Sequence, residues 1–230
     1  MMDLNLDLCK GVVFNMANIK EMNFIKDKIK ICEKCSLHLS RNNTVPGEGN
    51  INSKIVFVGE GPGADEDSSG RPFVGRAGKL LDVMFKDWAK IDRNQIFITN
   101  IVKCRPPKNR VPSDEEMNSC GHFLEAQLIQ IKPKIIVTLG STSMKYLTNK
   151  TKITESRGKF YDWYSGIKIF PTFHPSYLLR NPSMQKGTPR WYSWLDMRAI
   201  GIMIKALNND KNVEDIVKAV TKIMKDSGGI

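Results

Sequence analysis

Short apolar runs that stop at glycine alternate along this chain with longer stretches whose apolar residues recur at helical spacing. Lys54 to Val58 is β-branched and ends at Gly59, the pattern of a buried strand. Ala77, Leu80, Leu81, Met84, Phe85 and Trp88 then mark one face of a helix. Gln95 to Val102 reads as a second strand. Ser113-Asp-Glu-Glu116 is a capping box that opens a helix carrying Met117, Cys120, Leu124 and Leu128. Lys134 to Leu139 is a third strand ending at Gly140, followed by a short helix from Ser141 to about Leu147. Ile167 to Phe173 is a fourth strand, running straight into His174-Pro-Ser. Trp191 to Met224 reads as two helices with a polar break near Asn208 to Asn212. Strands alternating with helices predict an α/β fold, a three-layer α/β/α sandwich around a central, mainly parallel four-stranded sheet. Ligands bind outside the carboxyl ends of such strands, so Gly59–Gly63, Asn100–Cys104 and His174–Ser176 should converge.

Composition adds two points. With 230 residues, 41% of them hydrophobic, the chain can bury a sizeable core, and its apolar runs are too short to span a bilayer. Residues 1–16 contain Asp3 and Asp7 and no clean apolar stretch, so they do not read as a signal peptide; an intracellular protein without a membrane partner is expected. The formal net charge of +11 favours a polyanionic partner, nucleic acid before membrane surface. Arg71, Arg76, Lys103, Arg105, Lys108, Arg110 and Arg180 strengthen this, because they stand beside the glycine-rich loops.

Five cysteines in an intracellular chain read as ligands or thiols, not disulfides. Cys32 and Cys35 form a C-x2-C pair, and Cys104 and Cys120 follow as C-x15-C; Cys9 stands apart as a free thiol. Zinc ribbons usually supply a second C-x2-C knuckle, so this spacing favours a structural [4Fe–4S] cluster over zinc. Four thiols complete such a site without His38 or His122.

The loop Gly59-Glu-Gly-Pro-Gly63 superficially resembles a dinucleotide loop. Its spacing is G-x-G-x-G, and Pro62 removes an amide that a phosphate would want. Its glycines suit a backbone passing close to a ligand. GEGPGADED, GRPFVGRAGKLLD, TNIVKCRPPKNRVP and FHPSYLLRNP, together with the cysteine spacing, resemble the family 4 uracil-DNA glycosylases. The resemblance runs from about Cys32 to Ile200. It leaves residues 1–18 as an N-terminal extension and 19–230 as a single domain with a four-cysteine lobe.

That resemblance implies a monofunctional enzyme that flips uracil out of DNA and hydrolyses its N-glycosidic bond, with a rival reading as a non-enzymatic iron–sulfur DNA-binding module. Phe73 would stack on the base, and Asn100 would read it, since a side-chain amide can accept from N3–H and donate to O4. His174 would donate to uracil O2 as the bond breaks. Gly61 stands where related families carry a carboxylate or amide. Glu60, near Asn109, would organise the site, and Glu66 would either position water or crowd out a thymine methyl. Ser176, Tyr177, Leu178, Leu179 and Arg180 would form an apolar wedge with a basic neighbour, and Arg71, Arg105 and Arg110 would meet DNA phosphates. The expected partner is uracil-containing DNA, single- or double-stranded, bound by a monomer with further replication or repair partners possible.

Overall fold

The computed structural model describes residues 19–230; the N-terminal extension 1–18, with Cys9, lies outside the described residues. In chain order the elements are helix α1 (19–30), β1 (Glu48–Gly49), β2 (Ile55–Gly59), α2 (Ala64–Ser69), α3 (Arg76–Val83), β3 (Phe97–Asn100), α4 (Asp114–Ile131), β4 (Ile135–Leu139), α5 (Ser141–Thr148), α6 (Ile153–Ser156), β5 (Tyr161–Asp162), β6 (Lys168–Thr172), α7 (Pro175–Arg180), α8 (Pro189–Asn208) and α9 (Val213–Asp226). The sheet order is β1-β3-β2-β4-β6-β5. The four inner strands are parallel, as expected, but the sheet has six strands, because antiparallel two-residue strands add one edge at each side. Segments that short carry no readable alternation.

Burial on both faces explains why β2 is apolar throughout. Ile55 and Phe57 face a core built with α3, α8 and α9. Val56 and Val58 face a second core, in which Met22, Ile25 and Ile29 of α1 meet Leu124 and Leu128 of α4. Strand β3 ends at Asn100, earlier than its apolar run. The amides of Ile101 and Val102 turn instead to the carbonyls of Gly59 and Glu60, 3.0 and 3.2 Å away. That detour ties the exit of β3 to the glycine loop. Beyond Val83, α3 widens into a π-helical turn, Met84–Ala89, that packs on α8. There a Cβ at Gly201 would lie 2.0 Å from the Ala89 carbonyl oxygen.

A buried ion pair closes the carboxyl-terminal part of the chain. The Arg157 guanidinium donates to both Asp196 oxygens and to the Gly229 carbonyl, and it lies over the Tyr192 ring. Asp196 also accepts from the Thr172 hydroxyl at 2.8 Å, at the end of β6. Among the described residues no helix is long and apolar enough to cross a membrane.

Candidate functional site

The carboxyl ends of β2, β3, β4 and β6 open into one cleft of about 710 Å³. Of the residues singled out above, Glu60, Gly61, Glu66, Phe73, Asn100, Asn109, Arg110, His174, Ser176, Tyr177, Leu179 and Arg180 line it. Three segments far apart in sequence therefore converge as the parallel sheet requires.

Phe73 is buried and stands beside His174, with ring centroids 5.9 Å apart. Its backbone is left-handed, φ 53°, which is uncommon for a residue with a Cβ. Two charged side chains hold the turn. Glu66 accepts the amides of Val74 and Gly75 at 2.9 and 2.8 Å through one oxygen, and that of Gly63 at 3.1 Å through the other. Arg93 donates to the carbonyls of Pro72 and Phe73. Glu66 thus holds the turn through three backbone amides while it also lines the cleft. Gly59 leaves the room that Asn100 and Phe73 occupy: a Cβ there would lie 2.4 Å from Asn100 Oδ1 and 2.6 Å from Phe73 Cζ.

Asn100 is 1% exposed, and its Oδ1 has no hydrogen-bond partner among the described residues. A buried acceptor without a donor is costly, and this one stands on the cleft wall.

His174 caps α7. Its Nδ1 accepts the Ser176 amide at 3.1 Å, so in the neutral ring the proton sits on Nε2. Burial pushes its pKa down to about 4, with the Arg180 charge adding to the shift. At neutral pH the ring is therefore an uncharged Nε2–H donor on the cleft wall. Gly140, at φ 94°, lets β4 pass behind it, where a Cβ would come within 2.9 Å of His174 Cβ.

Glu60 does not pair with Asn109. Its Oε2 accepts from the Thr142 hydroxyl, whereas Asn109 Oδ1 accepts from Arg105 at 2.8 Å. The neighbouring position 61 has little space for a side chain, since a Cβ would lie 2.7 Å from Val102 Cγ2.

On the other side of the β3 exit, Cys32, Cys35, Cys104 and Cys120 line one small cavity. Cys104 and Cys120 are buried; Arg41 donates to Cys104 Sγ and the Lys103 amide to Cys120 Sγ, each at 3.3 Å. Burial raises the thiols of Cys35, Cys104 and Cys120, the last to about 11, so thiolates here need a cation to stabilise them. No group of three or more His, Cys, Asp or Glu side chains among the described residues is arranged to hold a metal ion. His38 lines the same cavity, with its Nδ1 bonded to the Cys35 carbonyl, whereas His122 lies outside it and meets Lys34.

A family profile described as the Uracil DNA glycosylase superfamily matches residues 46–198, which span all four inner strands and the cleft. The chain belongs to that superfamily. Within it, a type-4 uracil-DNA glycosylase of Thermotoga maritima is 52% identical over 70% of this chain and 85% of the relative. One from Sulfurisphaera tokodaii is 49% identical over 70% of this chain and 77% of the relative. A type-5 uracil-DNA glycosylase of Pyrobaculum aerophilum is 29% identical over 57% of this chain and 65% of the relative. The family 4 resemblance read from the motifs is thus borne out.

The glycosylase frame also shows which basic residues face the cleft. Arg76, Arg110 and Arg180 line it; Arg71 and Arg105 do not. Arg71 pairs with Glu48, and Arg110 forks onto Glu116, holding that carboxyl down at about 2. Lys103 was expected on a basic loop face but is fully buried. Its ammonium donates to Thr99, Gln127 and the Asn100 carbonyl, and burial pushes it down to about 7. Leu178 is a second correction: it is 0% exposed, because the first turn of α7 points it into the core between exposed Tyr177 and Leu179.

Sequence reasoning missed Thr142 and Arg93. Thr142 follows the carboxyl end of β4, so the strand-end rule could have found it. Arg93 lies before β3, and its partners on the Phe73 turn are backbone carbonyls, which leave no motif.

Proposed function

We infer that this chain is a uracil-DNA glycosylase of the type-4 class, hydrolysing the bond between uracil and deoxyribose and leaving an abasic site. The observation that carries the chemistry is the buried, partnerless Asn100 Oδ1 beside Phe73 and His174. Uracil N3–H is a donor that fits this acceptor, whereas cytosine N3 is itself an acceptor. A flipped uracil would stack on Phe73, a contact contributing ~1–3 kcal/mol. His174 would donate Nε2–H to O2, where negative charge develops as the base leaves. Glu60, half-buried on the cleft wall, would hold the attacking water through the carboxylate oxygen that Thr142 leaves free, since position 61 is glycine. Tyr177 and Leu179, with Arg180 beside them, would fill the gap left in the helix. The test is direct. The protein is incubated with a labelled oligonucleotide carrying one uracil, and abasic sites are then cleaved with alkali. Uracil-dependent cleavage supports the reading, and DNA binding without base release refutes it.

DNA affinity should fall steeply with salt. Arg180→Ala is expected to lower both affinity and the log–log salt slope, by about 0.9 per phosphate contact on duplex. Titrations at several salt concentrations check this; an unchanged slope removes Arg180 from the DNA face.

The four thiols fit a [4Fe–4S] cluster with a structural role. They share one cavity, and N–H donors of Arg41 and Lys103 already point at two of the sulfurs. When bound, the cluster would join the loop after α1, the exit of β3 and α4, and would take no part in bond cleavage. Purified protein should be brown, and Cys120→Ala should lose colour, iron and solubility together. Metal analysis decides: a colourless, fully active protein holding zinc overturns the assignment.

A further inference from the structure

We propose that Arg93 is a positioning residue for base recognition, acting solely by fixing the carbonyls of the turn that carries Phe73. The inference rests on the reading of Phe73 as the stacking platform. Four bonds define the side chain. One terminal nitrogen donates to Pro72 O at 2.6 Å and to Glu48 Oε1 at 3.2 Å. The other donates to Asp82 Oδ1 at 2.6 Å and to Phe73 O at 3.3 Å. The guanidinium thus joins α3, through Asp82, and β1, through Glu48, to two successive carbonyls of the turn.

Those carbonyls matter because Phe73 is left-handed, at φ 53°, a state that an L-residue leaves readily unless it is held. Glu66 holds the amides on the far side of the turn, at Val74 and Gly75, so the two charges grip opposite polarities of one backbone segment. Gly78 closes the third side, because a Cβ there would lie 1.9 Å from Phe73 O. A planar fork can serve two carbonyls and two carboxylates together, whereas a lysine ammonium has three donors on one point. Arg93 does not line the cleft, so its effect on the reaction must pass through the turn.

The experiment is a double-mutant cycle on single-turnover uracil excision, with Arg93→Ala, Arg93→Lys, Phe73→Ala and the combinations. Arg93→Ala is expected to slow excision on the order of 10- to 100-fold, as misplacement of a binding element does. Non-specific DNA affinity should stay unchanged. In the Phe73→Ala background the same substitution should change the rate by less than about twofold, so that the two losses are strongly non-additive. Arg93→Lys should lose rate too, and it keeps the test open if the alanine variant fails to fold. Equal losses in the two backgrounds, or a wild-type rate in Arg93→Lys, overturn the inference. A wild-type protein that excises no uracil sinks the functional reading and this inference with it. An active wild type with additive losses sinks the inference alone.

Discussion

Replacing His174 by alanine is expected to slow single-turnover uracil excision by about 10²–10³ while leaving binding to uracil-containing duplex nearly intact. As the proposed leaving-group donor, His174 would be needed most where charge builds on the departing base, so its loss should fall on the bond-breaking step. The Ser176 amide fixes the tautomer, and burial holds the ring neutral with a pKa of about 4. Because that pKa lies below the ordinary value, the active neutral form persists through neutral pH and is lost only as pH falls towards the shifted value. Single-turnover rates should therefore show no His174 titration between about pH 6 and 8. Near-wild-type rates in His174→Ala would place the leaving-group donor elsewhere.

The second large effect is on stability. Arg157→Ala should destabilise the protein by about 3–5 kcal/mol, the usual result of stranding a buried charge. Arg157 is 3% exposed and Asp196 0%, and removing the guanidinium leaves the carboxylate with Thr172 as its one remaining side-chain donor among the described residues. The Gly229 carbonyl loses its donor as well. Denaturant melts would measure the loss, with a change under about 1 kcal/mol counting against the account. Replacing both partners by apolar residues, Arg157→Met with Asp196→Leu, should recover much of it, since no lone charge remains.

The parallel core was legible because β2 and, apart from Thr138, β4 are apolar runs that meet glycine at their ends. The capping box at Ser113 and Glu116 likewise forms as its spacing requires. Helix α1 went unread, although Met22, Ile25 and Ile29 stand at helical spacing on a Lys-rich segment. The cleft was legible in Asn100 and His174 at strand ends and in Phe73 on the turn between α2 and α3, residues whose chemistry depends on their type. What sequence could not supply was direction. Lys103 lies in the same basic stretch as Arg105, yet one points into the interior and the other outward, because a bend after Asn100 turns the chain. Leu178 and Leu179 are adjacent and alike, and only the start of α7 separates a core residue from a surface one.

The thiol cavity draws on segments that leave the ribosome at very different times. Cys32 and Cys35 emerge early, the Cys104 loop must wait for β3, and Cys120 comes only with α4. A nascent chain therefore exposes a two-thiol half-site throughout synthesis of the glycine loop and the Phe73 turn. If the four thiols hold the proposed cluster, its delivery would be a late event in biogenesis, and until then the early pair would be open to oxidation or to capture by other metals.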